Sequence, residues 1–144
     1  MSVDEFRHSR LPVRAASPEG GAARLDLVLG RDFPALRQVR DEAVAFVRRH
    51  RPHAAPDAVA DASLVLDEMA SNAMRHARPP CDLALSLRGD RLLIEVSDSL
   101  PVLARCREGY EGGGRGLALI DALAARWGQT PGAGGKTVWA ELPL

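Results

Sequence analysis

The residues of this sequence that are best placed to do chemistry are a carboxylate and a carboxamide one helical turn apart, Glu68 and Asn72. Their i, i+4 spacing places the two side chains side by side on one face of a helix. There the carboxylate can activate a hydroxyl or a water, while the amide oxygen can hold a metal ion. The pair predicts chemistry that needs both a base and a metal.

Two further features of the sequence indicate the ligand that the metal ion would accompany. The glycine cluster Gly112-Gly113-Gly114-Arg115-Gly116 allows backbone N–H groups to close on phosphate oxygens at the start of a helix. Asp98 follows an alternating apolar stretch, and a carboxylate at a strand end can accept a hydrogen bond from an adenine amino group, which would select ATP over GTP. The sequence therefore predicts ATP and Mg²⁺ as cofactors.

The elements that must position these residues follow from hydrophobic periodicity. Alternation from Leu25 to Leu29 predicts a half-buried strand, and Pro34 opens a helix that runs to about Arg49. A second helix is predicted from near Pro56 to about Ala77, where Pro79-Pro80 forbids continuation. On this helix we expect the stripe that includes the carboxylate and the carboxamide to lie off the core face.

The second half of the sequence predicts a hairpin, a helix and two more strands. Gly89-Asp90 is the turn of the hairpin, and Asp98 ends its second strand. Helical spacing covers Gly116–Arg126, followed by a short strand at 127–130 and a last strand at 136–142. This order predicts an α/β two-layer sandwich with a mixed, mostly antiparallel sheet and helices on one face.

Bulk properties narrow the location and the class of partner. Nineteen basic and nineteen acidic side chains cancel, so no direct nucleic-acid or membrane partner is expected. No apolar run approaches a membrane span, and Met1–Arg14 lacks the apolar centre of a signal peptide. Cys81 and Cys106 match no zinc pattern and are interpreted as reduced thiols of a cytoplasmic protein. Residues 1–22 are expected to be a flexible tail and residues 23–144 the single domain.

In this order the motifs resemble those of the GHKL superfamily of ATPases and kinases, which includes gyrase, Hsp90, histidine kinases and MutL. Glu68 and Asn72 look like its N-box, and Asp98 looks like the adenine-binding aspartate of its first glycine box. Gly112-x-Gly114-x-Gly116 looks like the second glycine box, and Lys136-Thr137 resembles the threonine that completes the adenine pocket. Four ordered motifs make a specific signal, whereas any one alone would be weak.

Within that superfamily, residues 24–142 are most similar to the bacterial anti-sigma factor serine/threonine kinases. The resemblance implies the histidine kinase-like ATPase (Bergerat) fold, with Glu68 as the catalytic base and Asn72 as the Mg²⁺ ligand. It also implies a docking contact at Arg40, a homodimer, a STAS-type anti-sigma factor antagonist as partner, and a sigma factor as a further one. The implied nucleotide contacts are Asn72, His76, Asp98, Gly112, Gly114, Arg115, Gly116, Leu117 and Thr137.

Some alternatives stay open at this point. The first glycine box normally continues Asp-x-Gly, but here Leu100 replaces the glycine that allows close backbone approach. A non-catalytic ATP-binding module, whose nucleotide state sets its affinity for a partner, is therefore the alternative function. His76 is as compatible with packing at a helix end as with a phosphate contact. Arg115 and Lys136 are candidate cations for a phosphate or for the 99–114 loop.

Overall fold

The computed structural model describes residues 22–30, 33–76, 81–98, 113–132 and 135–144. Gly112, Leu100 and Cys106 lie outside these residues, as does the predicted tail up to residue 21. The described elements, in chain order, are β1 (Ala23–Leu29), α1 (Phe33–His50), α2 (Pro56–His76), β2 (Cys81–Arg88), β3 (Arg91–Asp98), α3 (Gly113–Leu123), β4 (Arg126–Gly132) and β5 (Gly135–Pro143).

This order of elements is the one predicted from the sequence. The two long helices begin and end within one residue of their predicted limits. The third helix differs, because it begins at Gly113, three residues before the predicted start, and ends at Leu123. The glycine cluster therefore does not only precede this helix but also forms its first turn.

The five strands form one sheet in the order β1-β2-β3-β5-β4, and all four described pairings are antiparallel. The predicted two-layer fold with a mostly antiparallel sheet is confirmed. The hairpin between β2 and β3 turns at Gly89, whose φ of 54° lies in the left-handed region that favours glycine. This turn fixes the register in which Arg88 is opposite Arg91, and therefore places Asp98 at the far end of β3.

One hydrophobic core lies between the sheet and the helices. Alternate residues of the central strands enter it, because side chains of a strand point to opposite faces in turn. The strand residues in this cluster include Leu83, Leu85, Leu87, Leu92, Ile94, Val96, Val138, Ala140 and Leu142. The helices contribute Val39, Ala43, Val47, Val65, Leu66, Met69, Leu117 and Ile120. We call the side of the sheet that these helices cover the helix face, and the other side the outer face.

Candidate nucleotide site

The candidate site contains a buried ion pair on the helix face of the sheet. Asp98, the last residue of β3, lies directly opposite Lys136 in β5. Oδ2 of Asp98 is 2.8 Å from Nζ of Lys136, and the two side chains are 2% and 5% exposed. Lys136 was expected to be a cation that contacts a phosphate or the 99–114 loop. Its ammonium group is instead bound to the carboxylate that was predicted to read adenine.

Thr137, by contrast, points to the outer face. Its Oγ1 lies 2.8 Å from Oγ of Ser97, the residue that pairs with it across β3 and β5. Residues 97 and 98 face opposite ways, and so do 136 and 137, because strand side chains alternate. Lys136, and not Thr137, therefore shares the face of the sheet with Asp98. The sequence contains this information, because residues two apart on a strand share a face, and counting back two residues from Val138 leads to Lys136.

Helix α2, which carries Glu68 and Asn72, lies on the same side of the sheet as this ion pair. It packs against β3, β5 and α3. Glu68 is half-buried on this helix, and Asn72 is only 7% exposed. The stripe with both residues was expected to lie off the core face, but Asn72 is buried and Glu68 is half-buried. Asn72 is thus a buried carboxamide on a helix that packs against β3 and β5.

The first turn of α3 contains Gly114, Arg115 and Gly116. The free backbone N–H groups of a helix start can bind phosphate oxygens. Leu117 follows at 2% exposure and belongs to the hydrophobic core. Its side chain is therefore packing, and a role for Leu117 in nucleotide binding is limited to its backbone. His76 is the last residue of α2.

A bond to β4 also holds α3 in place. The indole Nε1 of Trp127, in β4, donates a hydrogen bond of 2.8 Å to Oδ1 of Asp121. Trp127 lies in the core, and Ile120 of α3 is fully buried in the same cluster. These contacts fix the helix whose first turn carries the glycine motif.

The protein groups available at this site fit an Mg²⁺ ion that would be bound mainly by nucleotide phosphates. Within the described ranges, no group of three His, Cys, Asp or Glu side chains could hold a metal ion. Mg²⁺ keeps several waters and commonly takes only one or two protein oxygens beside substrate phosphates. The carboxamide oxygen of Asn72 is a ligand of the right hardness for that arrangement.

Cys81, at the start of β2, is buried in the electrostatic neighbourhood of the ion pair. Burial raises the pKa of its thiol, the charge of Asp98 raises this pKa further, and Lys136 opposes the rise. The thiol is therefore protonated at neutral pH. Cys81 is a free cysteine.

Arg40, the predicted docking contact, lies on α1 and bonds to α2. Its Nη1 donates to Oδ2 of Asp67 at 3.0 Å, and its side chain is 38% exposed. This hydrogen bond and the negative charge of Asp67 raise the pKa of Arg40. Arg40 therefore connects the two long helices one residue before Glu68, while part of its side chain remains accessible.

None of the described helices is long and apolar enough to cross a bilayer.

Comparison with known proteins gives one family match and two similar structures. The family described as "Histidine kinase-like ATPase domain" matches residues 32–142. The chain is similar to the crystal structure of the RsbU and RsbW domains of Rv1364c from Mycobacterium tuberculosis, with a TM-score of 0.65 and 23% identity over 85% of this chain and 32% of that one. It is also similar to the Acinetobacter baumannii histidine kinase AdeS, with a TM-score of 0.48 and 13% identity over 83% and 67% of the two chains. No curated protein matches the sequence.

The family match and the Mycobacterium tuberculosis structure agree with the predicted fold. The chain spans only about a third of the Mycobacterium tuberculosis structure, 32% of its length, and at this identity the likeness shows the fold alone. The family match is stronger evidence, because it covers most of the sequence and every predicted nucleotide-binding motif. The chain belongs to the histidine kinase-like ATPase domain family.

Proposed function

We propose that this protein binds Mg²⁺-ATP and transfers the γ-phosphoryl group to a serine or threonine of a small antagonist protein, as an anti-sigma-type kinase. The observation that carries this proposal is the buried carboxylate of Asp98 at the end of β3, a strand that packs against the helix that bears Glu68 and Asn72. Membership of an ATPase family supports the nucleotide, and the resemblance to anti-sigma factor kinases supports the substrate class.

Each residue has a definite part in the proposed reaction. Asp98 accepts a hydrogen bond from the adenine amino group, and the start of α3 at Gly114 and Gly116 binds phosphate oxygens. Asn72 holds Mg²⁺, which neutralises phosphate charge when bound. Glu68 orients the incoming hydroxyl and takes its proton. Phosphoryl transfer depends mostly on positioning and charge neutralisation, so this short set of groups is sufficient.

The proposed partner is a STAS-type antagonist protein, with a sigma factor as a second binding partner and a homodimer as the assembled form. The accessible face of α1 around Arg40 is the proposed docking surface. Arginine is enriched in binding hot spots and pairs with carboxylates in two-point contacts. This proposal rests on the resemblance and on the accessible part of the Arg40 side chain.

The deciding experiment incubates the full chain with labelled ATP, Mg²⁺ and candidate antagonist proteins encoded near its gene. We expect label on a serine or threonine of one antagonist, and no label with the Glu68→Gln variant. Asp61→Asn is the matched control, because Asp61 is an exposed carboxylate on the same helix. ATP binding without transfer to any candidate would contradict the kinase assignment.

The second candidate function is a non-catalytic module whose nucleotide state sets the affinity for a partner. Leu100, in place of the glycine of the first glycine box, favours it. This function predicts that a partner binds differently in ATP and in ADP although no phosphate moves. The Glu68→Gln variant would then behave as the wild type in both nucleotides.

A further inference from the structure

The outer face of the sheet carries a row of buried side chains, although the described helices pack on the other face. Strand register places Asp26, Ala84, Glu95, Trp139 and Gly128 side by side across all five strands. Trp139 is 0% exposed, Glu95 4% and Ala84 7%. Ala84 and Trp139 lie outside the hydrophobic core between sheet and helices. An antiparallel sheet with one solvated face alternates buried and exposed positions, so burial on both faces indicates that the outer face is a binding surface.

Trp139 adds a buried polar atom to this row. Its indole Nε1 makes no hydrogen bond among the residues that the structure describes. The Arg126 guanidinium lies 5.9 Å from the centre of the ring, but it is itself a donor and cannot accept this bond. A buried donor without an acceptor costs free energy. A ligand of this face should therefore bring an acceptor, such as a backbone carbonyl.

Beside the row, the outer face forms a groove of about 460 Å³ over β1, β2 and β3. The charged side chains that line it are Asp26, Asp82, Glu95 and Arg24. Arg24 is already paired with Asp26 at 3.0 Å, so the groove has an excess of negative charge. Val28, which also lines the groove, is 61% exposed. The groove therefore suits an extended segment that carries arginines and apolar side chains together.

A segment with this chemistry precedes β1 in the same chain. Residues 6–14, Phe-Arg-His-Ser-Arg-Leu-Pro-Val-Arg, contain three arginines, four apolar residues and no acidic residue. The link at 15–22 connects the segment to β1, and its eight residues can span roughly 26 Å. From Asp26 to Trp139 the row crosses three strand spacings, about 14 Å. The link is therefore long enough for the segment to reach the whole row.

We infer that residues 6–14 bind along the outer face, with their arginines toward the acidic groove and a backbone carbonyl accepting the hydrogen bond from Trp139. The contact lies within one chain, so its effective concentration is high and a modest intrinsic affinity is sufficient. While bound, the segment closes the outer face to other proteins. Binding of the segment requires neither nucleotide nor phosphoryl transfer, and so goes beyond the proposed function.

The first test uses Trp139 as the reporter, in the full chain with Trp127→Phe. Acrylamide quenching and the wavelength of maximum emission measure whether solvent reaches the indole. We expect Trp139 to be protected in this protein. Adding Arg7→Glu, Arg10→Glu and Arg14→Glu together should raise the quenching constant and shift the emission to longer wavelength, because the segment is then repelled by the groove.

The control reverses charge at three exposed positions of α1, in the variant Arg37→Glu/Arg48→Glu/Arg49→Glu. It changes the net charge by the same amount and should leave Trp139 protected. Equal quenching with and without the segment changes would overturn the inference, and so would free access of acrylamide to Trp139 in every protein. Protection that is lost on about hundredfold dilution would mean that a second copy of the chain occupies the face instead.

Limited trypsin digestion is the second test, in the chain with both tryptophans. Cleavage after Arg7, Arg10 and Arg14 should be slow in wild type, because it follows the fraction of molecules in which the segment is released. Glu95→Gln should speed it at least about tenfold, as loss of one charged partner predicts. Asp90→Asn, an exposed carboxylate at the hairpin turn, should not change it. Wild-type cleavage as fast as that of a free peptide of residues 1–22 would overturn the inference, whether or not Glu95→Gln folds.

Discussion

The guanidinium of Arg40 donates a 3.0 Å hydrogen bond to Oδ2 of Asp67, and so joins α1 to α2 one residue before Glu68. The other oxygen of this carboxylate, Oδ1, is buried and accepts no hydrogen bond within the part of the chain that the structure describes. A partner that drew Arg40 away would leave a partly buried carboxylate without its cation, next to the proposed base. The proposed docking helix and the proposed catalytic helix are thus physically connected.

Reversing the charge of Arg40 should destabilise the domain. In Arg40→Glu two carboxylates face each other, so we expect a lower thermal midpoint, by roughly 2–5 °C, than in wild type. The compensating Asp67→Arg change in that background should restore most of the midpoint. Arg37→Glu, an exposed site one turn earlier, is the control. Equal effects of Arg37→Glu and Arg40→Glu would show that the contact with Asp67 contributes nothing.

Arg40 should also contribute to partner binding, separately from its bond to Asp67. Pull-downs with the Arg40→Ala variant, each run with ATP and with ADP, should recover less antagonist than wild type, and recovery should depend on the nucleotide. Asp67→Ala breaks the helix contact but keeps the arginine. Loss of the partner with Arg40→Ala but not with Asp67→Ala supports docking, while unchanged recovery in every lane would make this helix ordinary surface.

Changing Glu68 to Gln should separate binding from chemistry. The carboxamide preserves size and hydrogen bonding but cannot take a proton, so ATP affinity should stay within about threefold of wild type, while phosphotransfer falls by about 100-fold or more. Calorimetry and single-turnover labelling measure the two quantities. Transfer at the wild-type rate by this variant would exclude Glu68 from the reaction.

The Asn72→Ala variant should lose Mg²⁺-dependent nucleotide binding. Removal of the only proposed protein ligand of the metal should weaken ATP binding at least about tenfold in Mg²⁺, and should change it little in EDTA. Ser71→Ala, a half-buried neighbour on the same helix, should keep the wild-type response to Mg²⁺. Equal losses of affinity with Mg²⁺ and with EDTA would indicate a packing role for Asn72.

The thiol of Cys81 should make stability depend on pH in the alkaline range. Its pKa is raised on folding, so the folded protein holds this proton more tightly than the unfolded chain. The resulting stability is complete at neutral pH and is lost as the pH rises through the raised pKa, above about pH 8.5. Urea unfolding from pH 7 to 10 should therefore show a smaller decrease for Cys81→Ala than for wild type. If the free energy of unfolding fell equally with pH in the two proteins, Cys81 would not contribute to this pH dependence.

Most of the fold could be predicted because its periodicities are simple. Alternation in β2 and β3, the Gly89 turn and the proline-limited helices carry local signals that packing then reinforces. The start of α3 was missed, because glycine has poor intrinsic helix propensity and the packing of Leu117 and Ile120 overrides it.

The sequence indicates which residues form the candidate site, but it does not show the contacts that they make. Asn72 is buried although its helix stripe was expected to lie off the core, because burial depends on the packing of neighbouring elements, which a single helix stripe does not reveal. Thr137 was assigned to the adenine pocket by resemblance to a motif, whereas strand alternation places Lys136 on the face of the sheet that carries Asp98. A motif identifies which residues matter, whereas the register of the sheet decides which of two adjacent residues faces the ligand.

The two tryptophans give the domain a built-in optical probe, because they lie on opposite faces of the sheet. Trp127 is on the helix face and donates its indole N–H to Asp121 of α3, while Trp139 is buried on the outer face with the Arg126 guanidinium 5.9 Å from its ring. Indole fluorescence responds to nearby charge. A Trp139→Phe protein would therefore report through its single emitter on the helix that begins with the glycine motif, without an added dye.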